Sequence, residues 1–157
     1  MRIGRALLCG IGGAIAITLV SGVLRLLGLP IAIELVLASW MGLSPGPEAF
    51  ATGLAMHITL GAGFGVLYGW LFERVWVHGG VPMGLILGML HAALVGMMFG
   101  LTPQLARGAA DPGPYFTHLG ILGVLSWFVL HAIYGAIMGA GYGHVAAERQ
   151  WAPAGRL

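Results

Sequence analysis

Charged residues are scarce in this sequence: Asp, Glu, Lys and Arg make up 8% of its 157 residues. All seven cations are arginine, and lysine is absent. A soluble domain carries about 25% charged residues, so too few are present here to cover a water-exposed surface. The arginines are scattered and leave a net charge of only +2. Without a basic cluster, no nucleic-acid partner is expected.

Cysteine and carboxylate chemistry are also limited. The only cysteine, Cys9, excludes an internal disulfide and a multi-cysteine metal site. The zinc-protease, phosphate-loop and nucleophile-elbow motifs are absent, so we expect no catalytic constellation and do not expect an enzyme. The five acidic residues are predicted to lie in loops, in interfacial segments or at helix ends, with none inside a span: Glu34, Glu48, Glu73, Asp111 and Glu148.

Hydrophobic residues make up 59% of the chain and form four long runs. A membrane-spanning helix needs about 20 mostly apolar residues. We predict a single all-α transmembrane domain over residues 1–157. The predicted spans cover residues 6–27, 49–72, 82–101 and 118–145. The first run has no clear cleavage site after it, so we expect a retained helix and not a signal peptide.

The connection between the first two spans contains an apolar stretch, about residues 31–41, that is too short to cross a bilayer. It predicts a short helix lying at the membrane interface, with Trp40 as an aromatic anchor. The later connection, residues 102–117, contains a turn-rich Asp-Pro-Gly-Pro segment.

The arginines predict the orientation, because cytoplasmic loops are enriched in Arg and Lys. With both termini inside, five arginines are cytoplasmic and two are external. The cytoplasmic set is Arg2, Arg5, Arg74, Arg149 and Arg156, and the external set is Arg25 and Arg107. The even number of spans agrees with an N-in, C-in topology.

A shift of 74 residues superimposes the second span on the fourth. His57 falls on His131 and Tyr68 falls on Tyr142. Three glycine pairs match as well: Gly61 with Gly135, Gly65 with Gly139 and Gly69 with Gly143. The same shift relates the first span to the third through Gly10 and Gly84. It predicts a two-plus-two parallel repeat of helical hairpins, with chance overlap of glycine-rich helices as the alternative.

These glycines recur at helical spacing and form stripes of the small-xxx-small type, which lets helix backbones approach closely in lipid. The predicted packing positions are Gly61, Gly65, Gly69, Gly84, Gly88, Gly135, Gly139 and Gly143. Close helix packing is the main interpretation, and a substrate path lined by glycine backbone is the alternative.

Three histidines, His57, His91 and His131, fall inside predicted spans, where ionisable residues are functional candidates. One hypothesis is axial ligation of haem b or a (bacterio)chlorophyll by His57 and His131, with His91 as a further candidate. A second is that no cofactor binds and the neutral rings hydrogen-bond to a neighbouring helix, for example to Tyr68 or Tyr142. A proton or metal pathway is the third.

Several segments resemble the YagU-type bacterial inner-membrane proteins in layout over residues 38–135. They are Trp-Met-Gly-Leu-Ser-Pro at 40–45, His57, Tyr-Gly-Trp-Leu-Phe-Glu-Arg at 68–74, Gly-Leu-Thr-Pro at 100–103, Pro-Tyr at 114–115 and a histidine in the last helix. The resemblance implies a small multi-helix protein of the bacterial inner membrane, with a role loosely tied to acid tolerance. It supplies no catalytic residues.

The main functional prediction is an accessory subunit that packs in a larger membrane complex, such as a respiratory or photosynthetic one, or a homo-oligomer. Its expected partners are other membrane subunits, further copies of itself, and lipids. The reasons are the lack of a soluble domain, the lack of a buried acid–base pair, and more glycine faces than one bundle uses internally. The alternatives are a haem or chlorin protein and a small oligomeric channel or transporter.

Overall fold

The computed structural model describes residues 1–75, 80–106 and 108–143, and these are helical apart from their connections. Four helices are long and two are short. They are α1 (Ile3–Leu26), α2 (Ile33–Trp40), α3 (Pro47–Arg74), α4 (Val81–Phe99), α5 (Thr102–Leu105) and α6 (Gly120–Met138). A 3₁₀ turn, Pro114–Leu119, precedes α6, and a π turn, Gly139–Gly143, follows it.

Four helical segments are long and apolar enough to cross a membrane, in agreement with the predicted all-α architecture. They are Ile3–Leu26, Pro47–Arg74, Val81–Phe99 and Pro114–Gly143. The predicted end of the fourth span, residues 144 and 145, lies outside the described residues. Leu8, Leu94 and Ile121 are each more than two-thirds exposed, as side chains facing hydrocarbon would be. The chain is therefore a multi-pass integral membrane protein.

The helix ends follow from local backbone chemistry. Pro47 opens α3, and Pro82 lies in the first turn of α4, where proline's fixed φ fits and its missing N–H leaves no helix bond unmade. After α1 ends, Gly28 adopts a φ of +92°, a left-handed conformation that glycine reaches without the steric cost of a Cβ. The chain can then turn back into α2.

The long helices pack as two close pairs, α1 against α3 and α4 against α6, and α1 also contacts α6. The pairs cross at glycines. A Cβ added at Gly65 would lie 2.8 Å from the Gly10 Cα, and one at Gly84 would lie 2.9 Å from the Gly139 Cα. Both distances are shorter than carbon atoms tolerate, so any side chain would push these backbones apart.

The short helix α2 forms as predicted, and its position at the membrane interface stays a prediction. Five of its eight residues are buried, and it packs along α3. The close approach is possible because Gly53 has no side chain: a Cβ there would overlap the Glu34 backbone. Trp40 packs against Phe99, with ring centroids 5.7 Å apart, and is therefore part of the bundle.

We predict that Gly65→Ala destabilises the protein by about 1–3 kcal/mol, the usual cost of overpacking a tight contact. The matched control is Gly63→Ala in the same helix, where an added Cβ meets nothing within 4 Å. The control is expected to be neutral or slightly stabilising, because alanine is the better helix former. Thermal unfolding in detergent micelles measures both. Equal effects of the two substitutions would contradict the close crossing.

Candidate functional site

The three intramembrane histidines lie together. His57 on α3, His91 on α4 and His131 on α6 line one interior cavity of about 60 Å³. The His91 and His131 rings meet edge to face with centroids 5.0 Å apart. His57 and His131 are 9% and 5% exposed. A cavity of this size has room for water.

Each histidine has a different hydrogen-bond partner. His57 Nδ1 lies 3.1 Å from Thr18 Oγ1 on α1, and His91 Nδ1 lies 3.4 Å from Tyr68 Oη on α3. Tyr68 was one of the hydrogen-bond partners predicted for the intramembrane histidines, and it contacts His91.

His131 hydrogen-bonds within its own helix, where its Nδ1 lies 2.9 Å from the Trp127 backbone carbonyl oxygen. Because a carbonyl only accepts, Nδ1 must carry the proton. The Nε2 of a neutral His131 is then left as a proton acceptor.

Aromatic packing encloses the cavity. The Phe64 ring lies 4.0 Å from the His91 ring, and the Trp127 ring lies 4.2 Å from the His131 ring. Trp127 is 1% exposed, and its indole N–H donates to the Ala92 carbonyl on α4. The Tyr134 hydroxyl on α6 donates to the α3 backbone. These bonds tie the helices together around the histidines.

An ion pair lies at the end of the bundle where α1 meets α2, called here the Glu34 end. Glu34 is fully buried, and its Oε2 lies 3.4 Å from Arg25 Nη1. Arg25 also donates to the Ile31 carbonyl at 2.8 Å. Glu34 Oε1 has no hydrogen-bond partner among the described residues. The carboxylate of this pair is buried, contrary to the expectation of no buried acid–base pair, and the interfacial depth of Glu34 stays a prediction.

A second polar network closes the opposite end of the bundle, called here the Glu73 end. The Met1 amino group lies 3.0 Å from Glu73 Oε2, and the Tyr142 hydroxyl donates to the same carboxylate. The Arg2 backbone N–H donates to Tyr142 Oη at 3.0 Å. Tyr142 therefore holds the start of α1, and its hydrogen bonds within the described residues go to Arg2 and Glu73 and not to a histidine, as one hypothesis supposed.

These polar groups are spread along the length of α3. Along α3, Gly53 lies beside Glu34, and His57 is one helical turn further on. Tyr68 and then Glu73 follow towards the other end of the helix. Twenty residues separate Gly53 from Glu73, which is about 30 Å at 1.5 Å per residue. That length matches the hydrocarbon thickness of a bilayer. Ionisable and hydroxyl groups therefore occur at both ends and in the middle of the spanning region.

A haem or chlorin does not fit the cavity at its present size. A macrocycle is much larger than a space of about 60 Å³, so the helices would have to separate to admit one. No group of three His, Cys, Asp or Glu side chains within the described part of the chain is arranged to hold a metal ion.

The glycine stripes are used inside the bundle. All eight predicted packing glycines lie where an added Cβ would meet a neighbouring helix or the residues at its end. Gly4, Gly12 and Gly63 meet nothing within 4 Å. A surplus of glycine faces was one reason to expect an accessory subunit, and among the described residues it is limited to glycines outside the predicted packing stripes.

Sequence reasoning identified the histidines but missed Thr18, Tyr134 and the Arg25–Glu34 pair. A signal for the pair existed, because Arg25 and Glu34 are the only charged residues between residues 6 and 47. Opposite charges isolated in an apolar stretch favour pairing. Thr18 and Tyr134 carried no comparable signal.

Comparison with known proteins identifies no relative: no protein-family model, curated protein or solved structure matches the chain. The resemblance to YagU-type proteins therefore stays a prediction. The function has to be argued from the geometry of the site.

We predict that Arg25→Leu lowers the free energy of unfolding by about 2–3 kcal/mol, because it leaves a buried carboxylate unpaired. The value is below that of a fully buried pair, since the Arg25 side chain is 29% exposed. Adding Glu34→Gln removes the orphaned charge and should recover part of the loss. Chemical unfolding in micelles, followed by near-UV circular dichroism, measures this coupling. Additive effects of the two substitutions would contradict a direct interaction.

We expect the purified protein to be colourless, because the histidine cavity is too small for a macrocycle. The visible absorption spectrum checks this directly. A Soret band that disappears in His131→Ala would overturn the expectation and support the haem hypothesis.

Proposed function

We propose that this protein conducts protons across its membrane through the interior histidines, as a small channel or transporter. The observation that carries the proposal is the convergence of His57, His91 and His131, from three different helices, on one cavity with room for water. Ionisable side chains inside membrane bundles mark ion pathways and proton relays. Histidine suits a relay, because its two ring nitrogens can accept and donate protons near neutral pH.

The route begins at the Glu34 end. Glu34 is buried beside Arg25, and its backbone packs on Gly53, one turn of α3 before His57. A proton that reaches His57 can pass to a cavity water and then to the free Nε2 of His131. At each transfer one N–H or O–H bond breaks and another forms, so no redox partner is required.

An apolar layer interrupts the route towards the Glu73 end. Phe72 and Met138 are both fully buried and follow Tyr68 and Tyr134 by one turn along their helices. Movement of these side chains opens the layer to protons, so the proposed conduction is gated.

The 74-residue repeat, the N-in, C-in topology and the location in a bacterial inner membrane are part of the same proposal. The two parallel units of the repeat are the α1–α3 pair and the α4–α6 pair. Support for the repeat comes from the helix crossings: Gly10 packs on Gly61, and Gly84 packs on Gly135. Both residues of the first crossing map onto the second by the 74-residue shift.

We predict that the internal pH of liposomes containing the protein changes when a potassium gradient and valinomycin impose a membrane potential. The sign of the potential sets whether the interior becomes acidic or alkaline. A trapped pH-sensitive dye reports the flux. His57→Ala and His131→Ala should each reduce the protein-dependent rate at least about ten-fold, the scale of losing a proton-transfer group. The matched control is His118→Ala, because His118 is exposed and lies outside the cavity.

A wild-type rate equal to that of empty liposomes would refute the proposal, as would equal rates in the cavity and control variants. Recovery of the chain only with other subunits in mild detergent would favour the accessory role predicted from the sequence. Recovery alone, as a monomer or homo-oligomer with flux, favours the proposal.

A further inference from the structure

A hydroxyl group contacts the histidine cluster from α1, a helix that carries no histidine. Thr18 Oγ1 on α1 lies 3.1 Å from His57 Nδ1 on α3. Within the described residues, it is the only hydrogen bond from α1 to the three interior histidines. His57 lines the cavity and Thr18 does not. A cavity water can therefore bond to the His57 ring only at the nitrogen that Thr18 leaves free, which is Nε2.

The hydroxyl proton of Thr18 shows which group donates in this bond. A threonine in a helix can donate to the carbonyl four residues earlier, and Thr59 on α3 does so to the Ala55 carbonyl at 2.8 Å. In the part of the chain that the structure describes, the only hydrogen-bond partner of the Thr18 hydroxyl is the His57 ring. If Nδ1 donated to the Thr18 oxygen, the hydroxyl proton would lack an acceptor away from water, which is costly. The hydroxyl is therefore the donor.

A donating Thr18 determines which nitrogen of His57 carries the ring proton. Because Nδ1 accepts, the neutral ring holds its proton on Nε2. His131 has the opposite arrangement, since its Nδ1 donates to the Trp127 carbonyl at 2.9 Å and its Nε2 accepts. Both rings line the same cavity. Water between them therefore meets a donor on His57 and an acceptor on His131.

The two Nδ1 partners also differ in what they allow during proton transfer. A carbonyl only accepts, so His131 gains and loses protons at Nε2 alone. A hydroxyl both donates and accepts, so the Thr18 contact persists when His57 takes up a proton on Nδ1. The Thr18 oxygen then accepts from Nδ1–H, and the proton on Nε2 passes to the cavity water. One N–H bond forms and one breaks, and the ring is neutral again.

We infer that Thr18 is a positioning residue for His57: its hydroxyl holds the resting ring with the proton on Nε2, the nitrogen that passes protons to the cavity. The part of Thr18 in conduction rests on the proposed function. The direction of the Thr18–His57 hydrogen bond does not.

Nitrogen-15 NMR of the histidine-labelled protein in bilayers tests the bond at about pH 8, where a histidine with an ordinary pKa is neutral. Protonated and unprotonated ring nitrogens give distinct signals, assigned by their loss in His57→Ala and His131→Ala. We expect the proton on Nε2 in His57 and on Nδ1 in His131. Thr18→Val keeps the shape of the side chain without the hydroxyl, so the His57 Nδ1 signal should move towards that of an unbonded acceptor. A wild-type His57 protonated on Nδ1, or an Nδ1 signal unchanged in Thr18→Val, would overturn the inference.

Proton flux into liposomes tests the part of Thr18 in conduction. Thr18→Val should lower the protein-dependent rate about five-fold, the scale of losing one neutral hydrogen bond. Thr18→Ser keeps the hydroxyl and should retain most of the wild-type rate. The matched control is Thr59→Val, which should conduct normally, because the Thr59 hydroxyl bonds within its own helix and lies outside the cavity.

The two proposals fail separately. A wild-type flux that Thr18→Val leaves unchanged would refute the part of Thr18 in conduction and leave proton conduction standing. No flux from the wild type would refute conduction, and the NMR signals would still decide the direction of the hydrogen bond.

Discussion

Backbone-to-backbone contact at glycine brings the spanning helices close enough to form a common interior. In lipid, apolar side chains gain little by leaving the solvent, so association depends on close van der Waals contact and on polar bonds between helices. Gly65 against Gly10 and Gly84 against Gly139 provide that contact. The α3 and α6 faces that carry His57 and His131 are thereby turned towards one another. The histidine cavity exists because two pairs of helices cross at residues without side chains.

The polar groups of the interior follow a second constraint, which is the cost of leaving them unpaired in hydrocarbon. Arg25 and Glu34 pair at one end, and the Met1 amino group pairs with Glu73 at the other. Between them, each histidine finds a hydroxyl or a carbonyl. The Nε2 of His131 is left over as an acceptor, because its Nδ1 donates to the Trp127 carbonyl, and the proposed proton route uses this nitrogen.

Periodicity and composition made the spans predictable, because a segment of about 20 apolar residues has few alternatives to a membrane helix. The histidines were found for a related reason, since an ionisable residue is conspicuous in an apolar run. The packing of α2 along α3 was not predictable in the same way, because it depends on a residue outside the segment. Gly53 on α3 has no side chain, so the Glu34 backbone can lie against it.

The sequence alone determined that the chain is a four-helix membrane protein with histidines in its spans, because hydropathy and helix length are local properties. Only the tertiary structure decided that three histidines share one cavity and that Glu34 is buried. These are distances between residues far apart in the chain, and they depend on how helix surfaces fit together, which no local pattern encodes.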